Sequence, residues 1–214
     1  MAGRPGSEAI GETAARLRAR LEELNRAREA ALRECRETIR SSAVAIRAVH
    51  RLDNVAADAR LGDARRSVDN VKRLLAAHPS LYYAGYVHDA QKEYVEAEAV
   101  RAIVSGAPVP EPEELGVEAA AYLNGLAEAG SECRRYVLDR LRGGEVAGAD
   151  RVLQAMDDIY YELITFDFPD AITGGLRRTT DAFRAVLERT RGDLTLTLQQ
   201  QALREALEEH RSRR

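Results

Sequence analysis

The fold of this chain is most constrained by one helical pattern that runs without a proline through residues 7–49. A helix of about 40 residues would be roughly 60 Å long at 1.5 Å per residue, and Ser7 can cap its start. One small domain cannot bury a helix of that length along its whole course. The apolar positions follow three- and four-residue steps, which place them on one helical face: Leu17, Leu21, Leu24, Cys35, Ile39, Ile46 and Val49.

The rest of the chain is also helical in pattern, and no segment has the pattern of a strand. Residues 105–112, with three prolines and a glycine, are the clearest loop. We therefore predict an all-α fold, a bundle of about seven helices with a long N-terminal helix. The second helix is predicted to end at His78-Pro79, and Ser80 is predicted to cap the third. The fourth should start near Glu113 or Glu114 and end at Gly143-Gly144, and Asp150 should cap the fifth. The sixth should start at Phe168-Pro169, with a break between it and the seventh at Gly192-Asp193.

The composition indicates one domain. The 214 residues include six prolines and no low-complexity linker, and a chain of that length can bury one sizeable core. Charged residues of both signs are interspersed and make up 31% of the chain, which is typical of helices with solvated faces. We assign residues 7–210 to a single helical domain, residues 1–6 to a disordered tail and residues 211–214 to a basic C-terminal tail.

The net charge, the cysteines and the hydropathy limit which kinds of partner and which cellular compartment are expected. The formal net charge of −3 does not favour nucleic-acid binding by the protein as a whole, so such binding would need a local basic surface. Cys35 and Cys133 lack the spacing of a zinc site, which favours free thiols in a reducing compartment. No apolar run approaches the roughly 20 residues that cross a bilayer, and residues 1–6 lack the apolar stretch of a secretory signal. We expect a cytoplasmic protein with no membrane partner.

An acidic stripe in the third helix is the feature most indicative of chemistry. Asp89, Glu93 and Glu96 lie on one helical face, and only Lys92 is placed near Glu96. A surface glutamate normally has a basic residue three or four positions away, but Glu93 has only acidic residues and alanines there. A helix tolerates such repulsion when a cation neutralises it.

A second acid pair lies in the fourth helix. Glu128 and Glu132 are four residues apart among alanines and glycines, which allow another helix to come close. If the third and fourth helices pack together, four carboxylates could converge, and an oxygen-only cluster suits Mg²⁺ or Mn²⁺. The alternative that these acids are ordinary solvated residues stays open, because several such pairs arise by chance among 35 acidic residues and most are solvated. Arg135, three residues beyond Glu132, could also neutralise that pair.

The remaining polar residues indicate less. The four histidines share no spacing that makes a site, although His88, about one turn before Glu93, could contact a substrate. Gly174-Gly175, followed by Arg177-Arg178, could receive an anion at a helix start. Close helix packing explains those glycines equally well.

Several motifs, taken together, resemble archaeal members of the translin superfamily. FPDAITGGLRRTTD at residues 168–181, continuing to LERTRGDL at residues 187–194, is similar to the closing helices of that family. Tyr82-Tyr83, EYVEA at residues 93–97 and YLNGLAE at residues 122–128, followed by Glu132, occur in the matching order. The resemblance covers residues 10–207.

The resemblance implies an all-helical protomer of a hollow homo-octamer that binds single-stranded or structured RNA inside it. Such a shell would also cover the long first helix and the small-residue face of the fourth. The family has two branches, translin itself and the catalytic translin-associated factor X. Glu93 and Glu96 match the paired acids of the second branch, and Glu132 matches a further acid of it. Glu128 departs from the pattern, which has aspartate there. His88, Lys92, Arg134 and Arg135 are the expected contacts to nucleic acid.

These observations lead to one main hypothesis and two alternatives. The main one is a Mg²⁺-dependent (or Mn²⁺-dependent) endoribonuclease, in which Glu93, Glu96, Glu128 and Glu132 hold the metal and metal-activated water cleaves single-stranded or partly paired RNA. The first alternative is an oligomeric shell that binds RNA or single-stranded DNA without hydrolysis. The second is a helical scaffold whose acidic stripe binds another protein.

Overall fold

The protein folds as an all-α bundle, as predicted. A computed structural model describes the backbone of residues 5–213 and the side chains of residues 9–213. Within that range there are six long helices, three single-turn helices and no strand. The helices are α1 (Pro5–His50), α2 (Asn54–Leu75), α3 (Pro79–Tyr82), α4 (Gly85–Ser105), α5 (Pro112–Leu115), α6 (Ala119–Arg142), α7 (Val146–Leu163), α8 (Asp170–Thr173) and α9 (Leu176–Ser212).

Both ends of the described chain are more helical than expected. The first helix begins at Pro5 rather than at Ser7, so the expected disordered tail overlaps it at residues 5–6, and residues 1–4 lie outside the described part. The last helix continues to Ser212, so residues 211 and 212 of the expected basic C-terminal tail are part of the helix.

The predicted break at Gly192-Asp193 is wrong, because α9 is continuous over 37 residues. A single glycine lowers helix stability by only about 1 kcal/mol, and the buried Leu187 and Leu194 hold the helix onto the core on both sides of it. Two predicted caps are also wrong. The helix expected at Asp150 begins at Val146, and the one expected at Ser80 is divided into α3 and α4.

The central helix of the bundle is α6. It packs against α4, α7 and α9, while α1 and α2 form a helical hairpin that lies against α4. The main core includes Phe183 of α9, Met156 of α7 and Val100 of α4, all without measurable exposure. Cys35 and Cys133 are buried free thiols. No described helix contains an apolar stretch long enough to cross a membrane.

Glycines let α6 approach its neighbours closely. A Cβ atom at Gly125 would lie 2.6 Å from Val95 Cβ of α4, and one at Gly130 would lie within 3 Å of the Phe183 ring of α9. The prediction that small residues admit a neighbouring helix is therefore confirmed. These neighbours belong to the same chain, however, so the expectation that assembly covers this face is wrong.

Two helical ends keep apolar side chains in solvent. On the first half of α1, Ile10 is 71% exposed and Leu21 is 64% exposed. Near the end of α9, Leu203 is 60% exposed and Leu207 is 54% exposed. Since the folded chain alone does not cover these positions, the expectation that α1 is too long for one domain to bury is confirmed.

Candidate metal centre

The site is formed where α4 and α6 come closest. Gly125 lies against the Lys92 carbonyl oxygen, which would be 2.8 Å from a Cβ atom there. Residues three or four apart share a helical face, so Glu128 lies one turn beyond this contact, facing the turn of α4 that carries Glu93 and Glu96. The absence of a side chain at Gly125 thus sets how near the acidic residues of the two helices come.

Three carboxylates converge there. One oxygen from each of Glu93, Glu96 and Glu128 lies within 4.8 Å of the other two, and all three residues are partly buried. We call these three carboxylates the acidic centre. Oxygens on opposite sides of a bound Mg²⁺ are about 4 Å apart, so small side-chain rotations would bring the three into ligand distance. An all-oxygen set fits Mg²⁺ or Mn²⁺.

Burial and mutual repulsion disfavour the ionised forms of Glu93 and Glu96. Burial, followed by the charges of Glu93, Glu128 and Glu132, raises the pKa of Glu96 to about 8, and Lys92 opposes the shift. Burial is also the largest cause that raises the pKa of Glu93. Negative charge concentrated in this way attracts a cation.

Lys92 is the cation that the chain itself supplies. Its Nζ donates a hydrogen bond of 2.7 Å to Glu128 Oε1 and lies 3.9 Å from Glu93 Oε1. Burial disfavours the ammonium, but the hydrogen bond to Glu128 and the surrounding carboxylates outweigh it and raise the pKa of Lys92. The side chain expected to contact nucleic acid is therefore directed at the acidic centre.

Glu132 has a different partner. Its Oε1 lies 2.6 Å from Nε2 of His50, whose side chain is only 2% exposed. A carboxylate only accepts hydrogen bonds, so Nε2 donates, and Nδ1 is buried without a partner among the described residues. Glu132 is not among the three converging acids, although its charge contributes to the shift at Glu96. Arg135 does not neutralise it.

His50 is the residue of this site that the sequence analysis missed. It lies in the last turn of α1, where the Asp53 amide donates to the Ala48 carbonyl and Leu52 has a left-handed φ of 59°. That conformation costs a residue other than glycine about 1 kcal/mol or more, and the turn holds His50 against α6. No sequence spacing indicates the pair, because its members are 82 positions apart.

The other expected nucleic-acid contacts separate into two groups. His88 lies against Gly174, where a Cβ atom would be 3.0 Å from its ring, and Arg134 pairs with Asp193 at 2.8 Å. Both arginines line a surface depression of about 500 Å³ that also includes Glu132, but Arg135 is exposed whereas Arg134 is partly buried. Of the two arginines, Arg135 is the one directed to solvent beside the acids.

The Gly174-Gly175 turn is explained by packing. Both glycines have left-handed φ values, 62° and 84°. Buried Asn124 of α6 donates to the Thr173 carbonyl oxygen at 2.7 Å and accepts from Thr179 Oγ1 at 2.7 Å. These bonds fasten the start of α9 to α6, one turn before Glu128.

Comparison with known proteins places this fold in a family. AfC3PO, solved in complex with duplex RNA, is 36% identical, with a TM-score of 0.81 over 86% of this chain and 96% of AfC3PO. Uncharacterized protein MJ0175 of Methanocaldococcus jannaschii is 33% identical over 183 residues, which are 84% of this chain and 80% of MJ0175. The structure of apo-NeC3PO, 20% identical with a TM-score of 0.76 over 92% of this chain and all of NeC3PO, shares the fold. No protein-family model matches.

These likenesses and the geometry lead to the same class of protein. The chain is a helical bundle in which two central helices bring an acidic centre together. It belongs to the translin superfamily.

Proposed function

We propose that this protein binds RNA and cleaves it as a Mg²⁺-dependent endoribonuclease of the translin-associated factor X type. The observation that carries the proposal is the acidic centre, in which three partly buried carboxylates from two helices lie within 4.8 Å of one another. Burial, followed by the charges of the neighbouring carboxylates, raises the pKa of Glu96 to about 8, and a divalent cation bound there would favour the ionised form.

Glu93, Glu96 and Glu128 would hold Mg²⁺ or Mn²⁺. Glu132 would lie next to them, held in place by its hydrogen bond to His50. When bound, such a cation lowers the pKa of water and offsets the charge of a phosphodiester. Arg135, exposed in the depression beside Glu132, would contact a neighbouring phosphate. Arg134 and His88 would support this surface from their contacts with Asp193 and Gly174.

RNA as the ligand is supported by the relative solved with it. AfC3PO forms a complex with duplex RNA and is 36% identical over most of this chain. The substrate we propose is single-stranded or partly paired RNA. Assembly into a hollow homo-octamer is supported by the exposed leucines at the first half of α1 and the end of α9, since exposed apolar faces of that length favour contact with another subunit.

The decisive test compares wild type with Glu93→Gln/Glu96→Gln on labelled single-stranded RNA. Each protein is first sized by light scattering and then incubated with Mg²⁺, Mn²⁺ or a chelator. We expect cation-dependent products from wild type and none from the double variant at unchanged particle size. Asp63→Asn/Asp69→Asn, which removes two partly buried carboxylates of α2 that lie outside the acidic centre, is the matched control and should cleave normally. Equal cleavage by wild type and the glutamine variant would refute the site.

A non-catalytic RNA-binding shell is the second candidate. It is favoured by the ammonium of Lys92, which already neutralises Glu128 at 2.7 Å, and by the glutamate at position 128 where the catalytic pattern has aspartate. In the same experiment this candidate predicts retained RNA affinity without products under every cation condition. A protein-binding scaffold predicts neither affinity nor products.

A further inference from the structure

The ammonium group of Lys92 lies against two of the carboxylates that would hold a bound cation. Its Nζ lies 2.7 Å from an oxygen of Glu128 and 3.9 Å from one of Glu93, two of the three members of the acidic centre. The side chain is 21% exposed, so it enters the cluster rather than extending into solvent. The chain has therefore placed a monovalent cation where the proposed function requires a divalent one.

The two cations cannot share the centre without strong repulsion. Like charges a few ångströms apart repel strongly where water is partly excluded, so a divalent ion bound to Glu93 and Glu128 must drive the ammonium away from them. Lysine suits such a movement, because its charge is a compact point on a flexible four-carbon stem, whereas the guanidinium of arginine is a rigid fork. Lys72 and Lys92 are the only lysines among the 32 basic residues, so this centre holds the less usual basic residue of the chain.

We propose that Lys92 is an exchangeable counter-ion of the acidic centre: it holds the carboxylates together before a divalent cation binds, and the cation displaces it towards the RNA. This inference rests on the proposed metal site and adds an order of events to it. The displaced ammonium becomes a phosphate contact only after the cation has bound, so cation binding prepares the surface for RNA.

If Lys92 is exchanged in this way, removing it should strengthen binding of the divalent cation, although the loss of a salt-bridge residue usually weakens an interaction. In Lys92→Met the stem keeps most of its apolar volume, and the divalent ion no longer competes with an ammonium. We expect the dissociation constant for Mn²⁺ to fall about tenfold. A lysine needed mainly to hold the carboxylates in place would leave Mn²⁺ affinity weaker when removed, because the ligands would lose their arrangement, and a lysine that contacts only phosphate would leave it unchanged.

The experiment titrates Mn²⁺ into RNA-free protein and follows the electron paramagnetic resonance signal of the free ion. The proteins are wild type, Lys92→Met, the charge-retaining Lys92→Arg, and Lys72→Met as the matched lysine control. Glu96→Gln in the wild-type and Lys92→Met backgrounds identifies the binding that belongs to this centre. Tighter Glu96-dependent binding in Lys92→Met alone supports the proposal.

Two results would overturn it, and they differ. Equal or weaker Mn²⁺ binding in Lys92→Met, with wild type binding normally, refutes the exchange but leaves the metal site intact. No Glu96-dependent binding in any variant refutes the metal site and the exchange together. Thermal unfolding provides a second readout: in chelator Lys92→Met should melt below wild type, and saturating Mn²⁺ should raise its melting temperature by more than it raises that of wild type. If Lys92→Met does not fold, Lys92→Gln replaces it in both measurements.

Discussion

The outer face of α2 and the face of α4 against α6 both carry carboxylates, but they differ in what lies three residues away from each carboxylate. On α2, Asp63 pairs with Arg60 at 3.1 Å and also with Arg66, whose side chain is 70% exposed. On α4, the residue three positions from Glu93 is Glu96, a second acid, and no arginine pairs with either within the described chain.

The difference shows that an acid pair becomes chemically distinctive through its neighbours. Exposed ion pairs such as those of α2 contribute about 0–1 kcal/mol each, because water already solvates both charges. Between α4 and α6, burial and the approach of Glu128 raise the pKa of Glu96. Glycine shows the same dependence on place. Gly125 is in close contact with α4, whereas Gly192 of α9 has no atom within 4 Å of where its Cβ would be.

The largest expected effect distinguishes the two acidic faces by catalysis. Glu96→Gln should lower the rate of Mg²⁺-dependent RNA cleavage at least about 100-fold, since even the loss of an outer-shell partner of a metal costs ~10–100-fold. Asp63→Asn should leave the rate within about twofold, because Asp63 is not one of the converging carboxylates. Single-turnover cleavage of labelled RNA measures both. A similar loss in the two variants would remove the distinction between the faces.

The next effect concerns the contact between α4 and α6. Gly125→Ala should lower the free energy of unfolding by roughly 1–3 kcal/mol, as overpacking of a close interface does, because the new Cβ would lie 2.6 Å from Val95 Cβ and 2.8 Å from the Lys92 carbonyl oxygen. Urea denaturation followed by circular dichroism measures the change. Weaker Mn²⁺ binding should accompany it, since the acids of the two helices would be pushed apart. Unchanged stability would show that α6 can move away freely.

The third prediction concerns pH. The pKa of Glu96 is raised in the folded protein, from an ordinary 4.5 to about 8, so between these values the folded state binds more protons than the unfolded state. Its contribution to stability is complete below about pH 4.5 and is lost as pH rises to about 8. In chelator this loss should be on the order of 1–2 kcal/mol. Glu96→Gln should flatten the dependence in urea titrations at several pH values, and an unchanged slope would exclude Glu96 as its source.

The smallest effect has the opposite sign. Gly192→Ala should raise the free energy of unfolding by up to about 1 kcal/mol, because alanine is the better helix former and nothing lies within 4 Å of the added methyl group. Thermal unfolding of Gly192→Ala and of Gly125→Ala, measured under the same conditions, tests the two predictions together. A destabilised Gly192→Ala variant would indicate that this part of α9 is covered by another subunit.

Much of the fold could be predicted because the pattern is local. Apolar spacing is enough to predict the helical class and the long α1, and the glycines and alanines of α6 indicate that another helix comes close. The break at Gly192 was predicted wrongly, because the burial of Leu187 and Leu194 depends on where α6 lies. The start of α7 was also misplaced, since no side chain caps it at Glu145.

The candidate site, like the fold, has features that could be predicted from the sequence and features that could not. The amino-acid sequence by itself determined which residues carry carboxylates and that Glu93 and Glu96 share a helical face, since a 3.6-residue repeat sets that geometry without reference to the rest of the chain. Only the tertiary structure decided that Glu128 joins them, that Lys92 neutralises Glu128, and that His50 holds Glu132. These contacts join residues 32 to 82 positions apart, and they form because close helix packing at Gly125 and the turn after α1 bring charged groups together in a partly dehydrated space.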